Sequence, residues 1–129
     1  MKKTVAIIQA RMGSTRFPGK VMKNIIGFPM VSHVVQRVSR SHLINEVVVA
    51  IPETQENDCL QELCEYNRWN LFRGSEDDVL DRFYRAACAY DADIIVRITS
   101  DCPLIDPELI DNVIDEFIKA HPTPDYMSN

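Results

Sequence analysis

The chain has 129 residues, 46% of them apolar, which suffices for one domain with a core of its own and leaves little room for a second. A net charge of −5 argues against a general nucleic-acid binder. No run of about 18 apolar residues marks a membrane span, and Met1-Lys2-Lys3 leads into strand-like residues rather than a secretory core, so a cytoplasmic protein away from the membrane is expected.

Val5-Ala6-Ile7-Ile8 is an apolar run of strand length, and a loop rich in Gly, Ser, Thr and Pro follows from Gln9 to Lys20. Met30, Val31, Val34, Val35 and Val38 recur at helical spacing, with Pro29 where a first-turn proline is tolerated, and this helix ends near Ser41. Val47-Val48-Val49-Ala50-Ile51 is β-branched and apolar on both faces, as in a buried parallel strand, and Pro52 stops it. A helix is predicted over residues 56–66, a short strand over 70–73, and a break at Gly74. Ser75 and Asp78 approximate a capping box for a helix to about Tyr90, with Val79, Leu80, Phe83, Tyr84 and Ala87 as its apolar stripe. Residues 94–98 form the next strand. Asp106 as N-cap and Pro107 as first residue then open a helix that carries Leu109, Ile110, Val113, Ile114, Phe117 and Ile118 and stops at His121-Pro122. Strands alternating with helices predict a three-layer α/β/α fold, an open and mostly parallel Rossmann-like sheet with right-handed crossovers.

The four cysteines make no C-x-x-C pair and no zinc spacing with His33, His42 or His121, so reduced thiols are expected, with Cys59 and Cys88 suited to core positions. Charge is segregated: every acid lies at Glu46 or later, residues 1–45 carry +8, and the remainder carries −13. A local basic cluster in an acidic chain suits a small polyanion such as a nucleoside triphosphate.

Ligands of open α/β sheets sit at the carboxyl ends of the strands. There, Ala10-Arg11-Met12-Gly13-Ser14-Thr15-Arg16-Phe17-Pro18-Gly19-Lys20 gathers three cations, two hydroxyls and two glycines. Gly13 lets backbone N–H groups approach phosphate oxygens, Arg11 and Arg16 can bind bidentately, and Lys20 adds a mobile charge. A Walker A loop is excluded, because five residues separate Gly13 from Gly19 and Val21 follows Lys20; G-x-G-x-x-G is absent as well. Asp101, just past a buried strand, is a candidate Mg²⁺ ligand, although a turn aspartate bonding its own backbone has the same sequence appearance. Arg73-Gly74-Ser75 could face a ligand or simply make a strand-to-helix turn. Glu76, Asp77, Asp78 and Asp81 read as solvated helix-start acids, with Arg82 and Arg85 as their partners.

Residues 7–20, from Ile7-Ile8-Gln9-Ala10-Arg11 to Pro18-Gly19-Lys20, resemble the signature loop of the cytidylyltransferase family. The Gln-Ala-Arg form is similar to its spore coat polysaccharide branch, as are Phe72-Arg73-Gly74-Ser75-Glu76 and residues 97–107. The resemblance spans the chain but only the N-terminal half or so of the family domain. It implies a nucleotide-diphospho-sugar transferase-like fold in which residues 1–129 are a nucleotide-binding unit. It also implies CTP and a sugar acceptor as partners, Mg²⁺ as cofactor, and CMP transfer with loss of pyrophosphate. Arg11, Ser14, Arg16 and Lys20 would bind the triphosphate, with Ala10 and Gly13 of the same loop. Arg73, Gly74 and Ser75 would lie near cytosine and ribose, and Asp101 would hold the metal. Arg11, Lys20 and Asp101 would carry the catalysis. The family's dimer elements fall in the remaining half, so a homodimer is admitted without being indicated. Three other readings stand beside the enzyme: a nucleotide-binding module without turnover, a phosphate-binding regulatory domain without base preference, and an RNA-binding domain, which lacks aromatic platforms among its cations.

Overall fold

A computed structural model describes residues 2–13, 18–100 and 102–120. Strand β1 (Thr4–Gln9) lies at the centre of a four-stranded sheet with β4 (Glu46–Pro52), β5 (Asn70–Gly74) and β6 (Ile94–Thr99), in the order β5-β4-β1-β6. All three pairings are parallel: Ile7 stands opposite Val48 on one side and Arg97 on the other, and Ala50 opposite Phe72. The order reverses after β5, where the chain recrosses the sheet to place β6 on the far side of β1. The carboxyl ends of β1 and β6 therefore flank the topological switch point, where such sheets bind ligands.

Alternation along the strands builds two cores. Ala6, Ile8, Val49, Ile51 and Ile98 point to one face, where α1 (Met30–Val38), α2 (Asp58–Asn67) and α4 (Pro107–Lys119) contribute Val31, Val34, Val38, Leu60, Cys64, Ile110 and Ile114. Val5, Ile7, Val48 and Ala50 point to the other, where α3 (Val79–Ala89) supplies Phe83, Ala86 and Ala87. This is the expected three-layer α/β/α arrangement. Asp106 caps α4 as expected, its carboxylate accepting from the Glu108 N–H at 2.9 Å.

Two expectations are corrected, and residues 20–29, for which no element was predicted, form short ones: a 3-10 turn (Lys20–Met22) precedes a hairpin of β2 (Asn24–Ile25) and β3 (Phe28–Pro29). Ile26 and Gly27 turn it with φ of 50° and 86°, the two positive values that a two-residue hairpin turn of the primed kind requires. Helix α3 is rotated from the predicted stripe: Leu80 and Tyr84 are 74% and 66% exposed, whereas Arg82 is fully buried. Cys88 is exposed rather than in the core, while Cys59 is half-buried. Cys59, Cys64 and Cys88 are free thiols, and burial, helped by the Glu65 carboxylate, pushes the Cys64 thiol up to about 11.

At the opposite, amino-terminal edge of the sheet a cleft of about 310 Å³ is lined by residues including Trp69, Arg68, Glu46 and Asn70. Trp69, immediately before β5, packs on the core from this end. Among the described residues no helix is long and apolar enough to cross a membrane.

Candidate nucleotide site

The loop after β1 is held at its neck by backbone and side-chain bonds. Ala10 extends the β1 ladder, its N–H donating to the Ala50 carbonyl at 3.1 Å, and is 1% exposed. Arg11, next in sequence, is exposed. Met12 is then pinned on both sides. Its carbonyl accepts from the Gly19 N–H at 2.8 Å, and its own N–H donates to Asn57 Oδ1 at 2.8 Å. Gly19 closes the neck with φ of +73°, a conformation that suits glycine, and Lys20 begins the 3-10 turn directly after it. At Gly13 a side chain would meet Glu56 Oε1 at 3.0 Å, so the glycine also admits that carboxylate to the loop.

Asn57 is fully buried, and its side chain acts as a strut: it receives the Met12 N–H and donates from Nδ2 to Thr54 Oγ1 at 2.8 Å. The same Thr54 offers its carbonyl to Arg73 Nη2 at 2.8 Å, while Arg73 Nη1 donates to Asp58 Oδ1 at 2.7 Å and Gln61 Oε1 at 2.8 Å. Arg73 is therefore not brought to the loop. It stands opposite Ile51 on the α2 face, in a notch shared with Asp58, Gln61, Glu62 and Glu65. Among the described residues it connects to the loop through the relay Arg73, Thr54, Asn57, Met12. In this arrangement the guanidinium anchors the β5 end to α2. Neutral contacts of this kind contribute about 1 kcal/mol each and charged ones about 2, so the relay anchors the loop at its neck.

Gly74 and Ser75 occupy the carboxyl end of β5. Ser75 Oγ accepts from the Asp78 N–H at 3.1 Å and Asp78 Oδ1 from the Asp81 N–H at 2.9 Å, so both serve the turn into α3, with Asp78 rather than Ser75 as its N-cap. Gly74 has a packing reason. A Cβ there would come within 3.0 Å of Phe72 Cε2 and 3.1 Å of Arg82 Cγ. The glycine is the gap through which Arg82 passes.

Arg82 was expected to pair with acids on the helix surface, and this expectation is overturned. Arg85 does pair with Asp81, at 2.9 Å, but Arg82 is 0% exposed and donates from Nη1 to the Ser75 carbonyl at 2.7 Å. Its Nε and Nη2 are buried without an acceptor among the described residues. Burial, followed by the nearby Arg11, depresses its pKa, and Glu76 partly opposes this. A buried donor left unpaired costs about 1–3 kcal/mol, and an arginine keeps its charge. The signal was present in the sequence: residues 79, 82, 83, 86, 87 and 90 form an uninterrupted i, i+3, i+4 stripe with an arginine in it. Asn57 carried no comparable signal, since its strut depends on the loop's fold.

At the end of β6, Thr99 is exposed and Ser100 is buried. Ser14, Arg16 and Asp101 lie outside the described residues. The structure therefore brings Ala10, Arg11, Gly13, Lys20, Gly74, Ser75 and Arg82 to the carboxyl edge of the sheet and leaves the Arg73 guanidinium on the α2 side.

A family model described as cytidylyltransferase matches residues 5–129. The spore coat polysaccharide biosynthesis protein SpsF of Bacillus subtilis is 39% identical over 118 residues, which cover 88% of this chain and 49% of that protein. A solved cytidylyltransferase from Leptospira borgpetersenii superposes with a TM-score of 0.86 at 39% identity, covering 92% of this chain and 50% of the other. CMP:2-keto-3-deoxy-manno-octonic acid synthetase, solved in complex with CTP, superposes with a TM-score of 0.79 at 27% identity, covering 92% and 48% respectively. The chain spans about half the length of the curated relatives it matches.

Proposed function

This chain belongs to the cytidylyltransferase family, and we propose that it is the nucleotide-binding unit of an enzyme that transfers CMP from CTP to a hydroxyl of a sugar, an acidic one by resemblance. The observation that carries this reading is the place of the cationic loop. Arg11 and Lys20 flank a neck clamped at Met12 and Gly19, on the central strand and beside the switch point. The relative solved with CTP supports the nucleotide.

In the reaction, the acceptor oxygen forms a bond to the α-phosphorus and the bond from that phosphorus to the bridging oxygen breaks, releasing pyrophosphate; the hydroxyl proton departs with the exchange. No covalent nucleophile is required, so the work is positioning and charge neutralisation. Arg11, Arg16 and Lys20 would hold phosphate oxygens, and the Met12 to Gly19 closure fixes the neck of the loop before the ligand arrives.

Mg²⁺ is the cofactor this reading implies. Its demands are modest: one or two carboxylates, with phosphate oxygens and water completing the shell. The donor chemistry fits, because the Glu56 carboxylate lies against Gly13 and the sequence supplies a second carboxylate, Asp101, directly after Ser100. Asp101 would hold the ion, which when bound would offset charge developing on the phosphates.

Calorimetric titration with CTP, UTP, GTP and ATP, each with Mg²⁺ and with EDTA, tests the proposal on this chain and on the full-length protein. CTP preference enhanced by Mg²⁺ and weakened in Asp101→Asn is expected. Indifference to the base would sink the cytidylyl assignment, and binding without CMP transfer to any sugar would reduce the protein to a nucleotide-binding module.

A further inference from the structure

We propose that Arg82 is a further ligand of the nucleotide's phosphate groups, its Nε–H and Nη2–H edge gripping one phosphate oxyanion beside Arg11. This inference rests on the triphosphate reading of the loop and adds to it a residue from a different element.

The geometry supplies the argument. Arg82 Nη1 is committed to the Ser75 carbonyl at 2.7 Å, which fixes the guanidinium plane. Nε and Nη2 remain, enclosed and without an acceptor among the described residues. These two N–H groups lie on one side of the planar group and point the same way, the donor pair that matches two oxygens of a phosphate. The stem is held over Gly74, with Arg82 Cγ 3.1 Å from where a Cβ would stand, so the edge is preset rather than free to search.

The charge balance selects the kind of acceptor. The guanidinium is fully buried, and among the described residues the charged groups that face it are Arg11, of the same sign, and Glu76, which offsets it only in part. A purely structural role at this position of the α3 stripe would be better filled by Leu or Met, because burial of an uncompensated charge is unfavourable. A neutral base edge would satisfy the two donors but leave the two cations unneutralised; a phosphate does both. The edge is closed to solvent, and the neighbouring cation Arg11 is exposed.

The test uses the full-length protein and its Arg82→Met and Arg82→Lys variants. Inorganic tripolyphosphate, CTP, ATP and cytidine are titrated by calorimetry, and thermal unfolding is followed without ligand. Arg82→Met is expected to unfold no earlier than the wild type, since it removes a buried unpaired charge, yet to bind tripolyphosphate and CTP at least about tenfold more weakly, with cytidine unaffected. Arg82→Lys should recover only part of the loss, because an ammonium cannot reproduce the paired edge. Unchanged tripolyphosphate affinity in a folded Arg82→Met protein would overturn the proposal, as would an equal loss for cytidine and CTP, which would make Arg82 a reader of the base. A wild type that binds tripolyphosphate, ATP and CTP alike would sink the cytidylyl reading alone, the Arg82 comparison then being decided on tripolyphosphate. A wild type that binds none of them would sink both.

Discussion

Gly74 and Arg82 are fitted to one another, and the glycine is the more constrained of the two. It has no need of positive φ. What it supplies is an absent methyl group, since a Cβ would stand 3.0 Å from Phe72 Cε2 and 3.1 Å from Arg82 Cγ. Neither neighbour can yield freely: Phe72 packs on the α3-side core, and Arg82 is tethered to the Ser75 carbonyl. Gly74→Ala is therefore expected to lower stability by about 1–3 kcal/mol, the usual cost of overpacking, measured by urea unfolding. It should also weaken triphosphate binding by shifting the Arg82 edge. Full stability with full affinity would show that the arginine is not held in the position described.

Among the elements, the joint between α1 and α4 has a pH-dependent fastening. Asp111 of α4 accepts from Ser41 Oγ and from the backbone N–H groups of His42 and Leu43, at 3.0 and 3.1 Å, so one carboxylate closes the turn that follows α1. Arg37 of α1 ties the segment just before α4 by donating to the Ile105 carbonyl at 2.7 Å. Burial alone would push the Asp111 carboxyl up. The bonds from Ser41, His42 and Leu43, with the His42 ring nearby, outweigh it and hold the carboxyl below its usual range. The folded state thus favours the ionised form. Its contribution to stability is complete above the ordinary aspartate value of about 4 and is lost as pH falls through the lower folded value. Asp111→Asn should remove that part of the acid limb in a series of thermal melts between neutral pH and about 3; an acid limb identical to that of the wild type would assign the dependence to other carboxylates.

Over the whole molecule, the sheet and its four long helices were legible because β-branched runs and helical stripes carry their own period. The short hairpin at residues 24–29 was not, because two-residue strands have no period to read. The α3 stripe failed for a different reason: Leu80 and Tyr84 are apolar and suitably spaced, yet the face that packs on Ile7 and Ala50 includes Arg82. Hydrophobicity alone excludes an arginine from a core and so turns the helix the wrong way. Charge summed along the sequence was also too coarse. Lys3 pairs with Glu46 at 3.2 Å at the start of the sheet, whereas Arg11 follows the end of β1. A strand of that length separates them by about 20 Å, so only part of the +8 segment serves the loop. The loop itself was found from composition, but the strut that holds it, from Asn57 to Met12, spans 45 positions of sequence and has no local signature.

The placement of Trp69 has a practical consequence for spectroscopy. It is the chain's single tryptophan, and it stands at the amino end of β5, whereas Gly74, Ser75 and the neck of the loop after β1 lie at the carboxyl ends of the strands. Indole emission excited near 295 nm therefore watches the far side of the molecule. It is expected to report cleanly on loss of tertiary packing and, if the proposed site takes nucleotide, to change little on its addition. A fluorophore for ligand entry has to be installed at the other pole, and exposed Cys102 already offers a thiol there, three residues beyond the end of β6.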